Sequence, residues 1–155
     1  QARYFLELER HLRMALKRQE LTVVFQPQVA INEGTLVGAE ALLRWNNVIL
    51  GKVALDRFIP LAEETGLIVD IGAWVLDEVC AYIREWSEAG LPVVRIAVNI
   101  SSRQLKELGF VDLVKAAINK HKIPVVVILR RYRTNFDSIV SCARYPKIPA
   151  INNDG

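Results

Sequence analysis

Glu40 stands inside an otherwise apolar run, Leu36-Val37-Gly38-Ala39-Glu40-Ala41-Leu42-Leu43, which Arg44 and Trp45 close. A carboxylate in such a run has to be paired or bound to a cation, because an unpaired buried charge is strongly unfavourable. Two explanations follow: Glu40 serves a site, or a Glu40–Arg44 ion pair ties a strand end to its surroundings. Local sequence leaves both open, since structural ion pairs also put charges in unusual places. Two further polar residues sit at comparable points, Gln26 in Phe25-Gln26-Pro27 and Asn99 after Ile96-Ala97-Val98. A carboxylate and an amide oxygen, joined by further carboxylates, would form a hard-oxygen site for Mg²⁺ or Mn²⁺. Arg44, four residues beyond Glu40 and on its side of a strand, suits a phosphate through bidentate hydrogen bonds. Together these residues point to metal-assisted phosphoryl chemistry. Taken singly, Asn99 also reads as a strand-end cap and Gln26 as a hydrogen-bonded edge residue.

The elements that must position these groups alternate. Residues 3–19 form an amphipathic pattern with Phe5, Leu8, Leu12, Ala15 and Leu16 on one face. Leu21 to Ile31 is rich in β-branched residues, with Pro27 marking a bend or edge. Asn32-Glu33-Gly34-Thr35 is a turn signal, and Leu36 to Arg44 returns from it as an antiparallel partner. Asp56 is the expected N-cap of a helix carrying Phe58, Ile59, Leu61 and Ala62, with Gly66 as its stop. A longer helix is expected from about Val69 to Ala89, ended by Gly90 and Pro92. Val93 to Ile100 reads as a strand buried on both faces. Ser101 or Ser102 then caps one helix reaching to about His121, and Pro124 to Leu129 begins another strand. This alternation is the βαβ grammar of a parallel sheet flanked by helices, an α/β fold whose functional groups collect at strand carboxyl ends.

Bulk properties narrow the class. The 155 residues suffice for one compact domain with a real core, and 52% apolar with 24% charged residues is ordinary for a globular chain. No stretch approaches a membrane span and no secretory signal pattern opens the chain, so a cytoplasmic location is expected. Cys80 and Cys142 are too few and too far apart for a metal or disulfide framework and read as inert thiols. Residues 1–121 hold 14 Lys+Arg against 15 Asp+Glu, whereas residues 122–155 hold 6 against 2. That basic tail carries no nucleic-acid motif and no basic helical face, which disfavours nucleic acid as a partner. Trp45, Trp74 and Trp86 are expected in the core or between helices, Glu63 and Glu64 at a solvated helix end, and His11 and His121 at the surface.

At the polar residues named above the sequence resembles the EAL domain family, bacterial signal-transduction phosphodiesterases that hydrolyse the second messenger cyclic di-GMP to linear pGpG. The matching text is Phe25-Gln26-Pro27, Gly38-Ala39-Glu40-Ala41-Leu42-Leu43-Arg44-Trp45 and Phe58-Ile59-Pro60-Leu61-Ala62-Glu63-Glu64-Thr65-Gly66-Leu67-Ile68. Ile71-Gly72-Ala73-Trp74-Val75-Leu76 and Val98-Asn99-Ile100-Ser101-Ser102-Arg103-Gln104-Leu105 follow in the family's order. The resemblance covers residues 3–123, roughly the first half of the domain. It implies a partial TIM-like (β/α) barrel, truncated after the third or fourth strand, with one strand running against the others. It also implies a two-cation site of Mg²⁺ or Mn²⁺, with Glu40 catalytic and a metal ligand, Asn99 a second ligand, Gln26 and Arg44 on the guanine nucleotide, and Leu42 lining its pocket.

The resemblance stops at residue 124. Where the family has a strand with a second ligating Glu, this chain reads Pro124-Val125-Val126-Val127-Ile128-Leu129-Arg130-Arg131. The following Asp-Asp pair, the later Lys and the closing Glu and Gln motifs are absent, and Asp137 and Asp154 lie in no comparable context. Residues 124–155 therefore read as a divergent, irregular basic tail. The expectation is an EAL-type domain with little or no activity in this chain alone. The alternatives are a non-catalytic cyclic di-GMP-binding module and an interaction module that pairs its open sheet edge with another protein chain.

Overall fold

The computed structural model describes residues 1–92 and 94–123, together with the backbone of residues 127–131. The remainder of the basic tail, with Asp137, Cys142 and Asp154, lies outside the described residues.

α1 (Ala2–Ala15) leads into β1 (Leu21–Val29), and Gln19, in the left-handed region at φ 56°, turns the chain between them. The expected helix over 3–19 thus ends earlier than its apolar pattern. β1 pairs antiparallel with β2 (Leu36–Asn47) through Gln26↔Glu40 and Leu21↔Trp45, as the turn at 32–35 predicts. Pro27, opposite Ala39, lies in this outer strand, where its missing N–H is tolerated. β2 runs three residues beyond Arg44 into a short partner, β3 (Gly51–Val53), which the sequence pattern did not announce.

α2 (Leu55–Thr65) and α3 (Leu67–Glu88) follow, separated only by Gly66 at φ 83°. Ala54, not Asp56, occupies the N-cap of α2, and Asp56 sits inside its first turn, where its charge complements the helix dipole. β4 (Arg95–Ile100) is parallel to β2 and to β5 (Val127–Arg131), giving the order β1-β2-β4-β5 with β3 against β2. The single helix expected up to His121 is two, α4 (Ser102–Lys106) and α5 (Phe110–His121), broken at Gly109 with φ 84°.

Alternation along β2 assigns the two faces. Ala39, Ala41, Trp45 and Asn47 are buried, whereas Arg44 and Asn46 are exposed and Glu40 and Leu42 are half-buried. The buried face feeds two apolar clusters. One joins Val23, Ala41, Ile96, Val98 and Ile100 to Leu76, Val79 and Ile83 of α3. The other joins Leu8 and Leu12 of α1 to Trp45, Phe58 and Ile71. Trp45 is fully buried, and Trp74 and Trp86 are partly buried against these clusters, as expected.

The two histidines depart from expectation. His11 is 3% exposed and lies against Asn47, with 3.3 Å between His11 Nδ1 and the Asn47 side-chain nitrogen. His121 is half-buried, its Nε2 2.9 Å from Asp77 Oδ1. Sequence distance hid both pairings. Lys120 Nζ also reaches Asp77 at 2.8 Å, and Arg84 donates to the His121 carbonyl at 3.1 Å, so α3 and α5 are braced by polar contacts over their apolar seam. Burial alone would raise the Asp77 pKa, but hydrogen bonds from Lys120 and His121, with their charges, hold it below 3.8. A depressed carboxylate pKa contributes stability above its unfolded value and loses it as pH falls through the folded one. Asp77→Asn is therefore expected to cost under about 1 kcal/mol at neutral pH, because the pair is solvent-screened. The two proteins should converge as pH falls below the ordinary carboxylate range in acid titrations followed by circular dichroism; an offset that stays constant there would refute the linkage. Burial, aided by the Asp77 charge, pushes the Cys80 thiol up to about 11, which fits an inert side chain.

Candidate functional site on the uncovered sheet face

Helices pack on the odd-numbered face of β2, which leaves the even-numbered residues of β1 and β2 facing away from them. Thr22, Val24 and Gln26 of β1 are exposed there, next to Glu40, Leu42 and Arg44 of β2. Gln26 and Glu40 are direct cross-strand partners, so their side chains start from adjacent backbone positions on one face. On the other flank Glu40 is registered with Ala97 of β4, which puts Asn99, two residues on, on the same face. The Asn99 side-chain amide donates to Glu40 Oε1 at 2.8 Å.

The structure thus brings Gln26, Glu40 and Asn99 together from three neighbouring strands. Leu42 adjoins them, half-buried and opposite Val24. Arg44 is exposed four residues along, and its Nη1 donates to the Leu43 carbonyl at 2.9 Å. Glu40 lies well inside β2, not at its end. It does lie near the end of the parallel ladder, whose last β2–β4 pair is Ala41↔Val98, because β2 beyond that point turns to β3.

Mg²⁺ takes about six oxygen donors in octahedral array. Glu40 and Asn99 offer oxygen, but the β5 position in register with Asn99 is Arg130, not an acid. Among the described residues no cluster of three or more His, Cys, Asp or Glu could hold a metal ion. These residues do not fit a two-cation centre.

Ser101 is the cap, one of the two serines expected there, and sequence reasoning missed only its reciprocal partner Gln104. Ser101 Oγ accepts from the Gln104 backbone N at 3.1 Å, while Gln104 Oε1 accepts from the Ser101 backbone N at 3.0 Å. The Ser-x-x-Gln spacing is the signature of such a capping box and was available to find it. Arg103 Nη1 donates to the carbonyls of Glu63 and Glu64 at 2.7 and 3.1 Å, so these residues contribute to the corner through their backbone. No helix among the described residues is long and apolar enough to cross a membrane.

A family model described as "EAL domain" matches residues 9–129. The bifunctional diguanylate cyclase/cyclic di-GMP phosphodiesterase MucR of Pseudomonas aeruginosa is 45% identical over 118 residues, covering 76% of this chain and 17% of that protein. The signaling protein YkoW of Bacillus subtilis is 37% identical over 119 residues, covering 77% of this chain and 15% of that protein. Among solved structures, the PaMucR phosphodiesterase in complex with c-di-GMP superposes with a TM-score of 0.76 at 44% identity. That match covers 79% of this chain and 50% of the solved one. The EAL enzyme Bd1971, bound to cAMP and cyclic di-GMP, gives 0.76 at 26% identity over 84% of this chain and 37% of its own. The chain therefore spans less than a fifth of these two curated relatives and at most half of these solved chains.

Proposed function

Because this chain belongs to the EAL domain family and spans only part of that domain, we propose that the sheet face turned away from the described helices is the retained half of a cyclic di-GMP phosphodiesterase site. The observation that carries the proposal is the Glu40–Asn99 hydrogen bond joining β2 to β4, with Gln26 directly across from Glu40 on β1. On this reading Glu40 is the essential carboxylate, and Glu40 and Asn99 would be two of the donors of a Mg²⁺ or Mn²⁺ site that the described residues do not complete. Gln26 would hydrogen-bond the guanine nucleotide, Leu42 would supply an apolar wall, and Arg44 a phosphate contact by its guanidinium fork.

Without the remaining acidic donors the arrangement orients a phosphodiester but cannot generate the attacking hydroxide. Purified chain with Mg²⁺ or Mn²⁺ is expected to convert cyclic di-GMP to pGpG at no rate above that of Glu40→Ala, by chromatography of the products. Robust turnover that Glu40→Ala abolishes would overturn the proposal of an inactive half site.

A non-catalytic binding module is favoured by one observation: the polar Gln26 and Arg44 and the apolar Leu42 stand on one face beside Glu40. Heat on titration with cyclic di-GMP, lost in Arg44→Ala, would select this reading. The outer edge of β1 could alternatively pair with another protein chain; a clean monomer by light scattering argues against that.

A further inference from the structure

The segment Ser101 to Gln104 belongs to the matched text, yet the proposed chemistry gives it no task. Gln104 is polar but only 4% exposed. Its seat is Gly72 of α3, where an added Cβ would meet Gln104 Nε2 at 1.7 Å and Cδ at 2.5 Å. The Gln104 amide thus occupies the volume a side chain at residue 72 would need. Arg103 is fastened next to it, on the α2 carbonyls, and comes within 2.9 Å of the Cβ position of Gly66. Two consecutive side chains therefore pin the chain to two helices, starting four residues after Asn99.

α4 has only five residues and is too short to be stable by itself, so its capping box serves the end of β4 as well as the start of the helix. What the buried amide fixes in addition is the backbone N–H of Ser101, the first residue beyond β4. The position of β4's end determines whether Asn99 reaches Glu40 at 2.8 Å. We infer that Gln104, seated on Gly72, is a positioning residue that fixes the chain leaving β4 and so holds the Asn99 side chain for its contact with Glu40. The inference rests on the reading of Glu40 and Asn99 as the site.

The test follows the Asn99 side-chain amide by ¹⁵N–¹H NMR and cyclic di-GMP affinity by calorimetry, well below each variant's melting temperature. Gln104→Met keeps the volume but removes the acceptor for Ser101 N–H, and Gly72→Ala keeps Gln104 but forces it off its seat. Both are expected to shift the Asn99 amide signal and weaken cyclic di-GMP about tenfold or more, the scale of lost outer-shell support. Gln104→Glu, which retains an acceptor oxygen, should restore most of both, and the remote Asn47 amide should stay in place throughout. An unmoved Asn99 signal with unchanged affinity, whatever the fall in melting temperature, would reduce Gln104 to a helix cap and overturn the inference. If the unmodified chain does not bind cyclic di-GMP while the Asn99 signal still moves in both variants, the positioning role stands and the proposed function falls.

Discussion

Asn47→Ala is expected to lower the unfolding free energy by about 3 kcal/mol, because one side chain is the hub of a buried polar network. Asn47 is 3% exposed, and its Oδ1 accepts from the backbone N of both Ile49 and Leu50 at 2.9 Å, closing the turn between β2 and β3. Its Nδ2 donates to Glu20 Oε2 at 2.9 Å and contacts His11 Nδ1. Glu20 is a buried carboxylate, 7% exposed, that otherwise accepts from Trp45 Nε1 at 3.0 Å and has Arg18 at 4.0 Å. Truncating Asn47 leaves two turn amides without their acceptor and a desolvated charge with less support, and the unsupported charge is the larger loss. His11 has nothing in reserve, since its Nε2 is already buried without a hydrogen-bond partner among the described residues. Urea denaturation followed by circular dichroism gives the difference directly. A loss below about 1 kcal/mol would mean that water replaces Asn47 at little cost.

Phe58→Ala is expected to be costlier still, at about 4 kcal/mol, within the range for emptying a buried aromatic site. Phe58 is 0% exposed and meets Trp45 edge to face, with ring centroids 5.4 Å apart. It packs α2 against the distal half of β2, so its loss opens a cavity between helix and sheet that neighbours fixed on two elements cannot fill. Phe58→Leu should recover more than half of the loss. Whole domains are stable by only about 5–15 kcal/mol, so either alanine variant could leave this chain substantially unfolded at 37 °C. The same urea experiment checks both proteins, and equal midpoints for Phe58→Ala and Phe58→Leu would sink the cavity argument. The two sites share Trp45, so the double variant should fall short of the sum.

Legibility followed sequence distance. β1, β2 and their antiparallel pairing were readable from β-branched content and the Asn32–Thr35 turn, because those cues are local. The alternation that buries Ala39 and Ala41 and leaves Glu40 on the other face was not readable, because the run around Glu40 is apolar at both parities. The break at Gly109 was not foreseen, since the apolar period continues across it and a glycine inside a helical pattern is ambiguous. His11 with Asn47 and His121 with Asp77 are separated by 36 and 44 residues, and no local pattern encodes such a meeting. The Ser101–Gln104 capping box was written in the spacing, but its burial on Gly72 was not.

The sequence by itself determined the family and the strands that bear Gln26, Glu40 and Asn99. Those are properties of residue identity and order. Only the tertiary structure decided that Glu40 meets Asn99 rather than merely sharing a family pattern with it. It alone also seated Gln104 on a glycine of α3. Each of these depends on strand register and on the packing of helices far apart in the chain. Register is set collectively by every pair along β2 and β4, so no single stretch of sequence carries it.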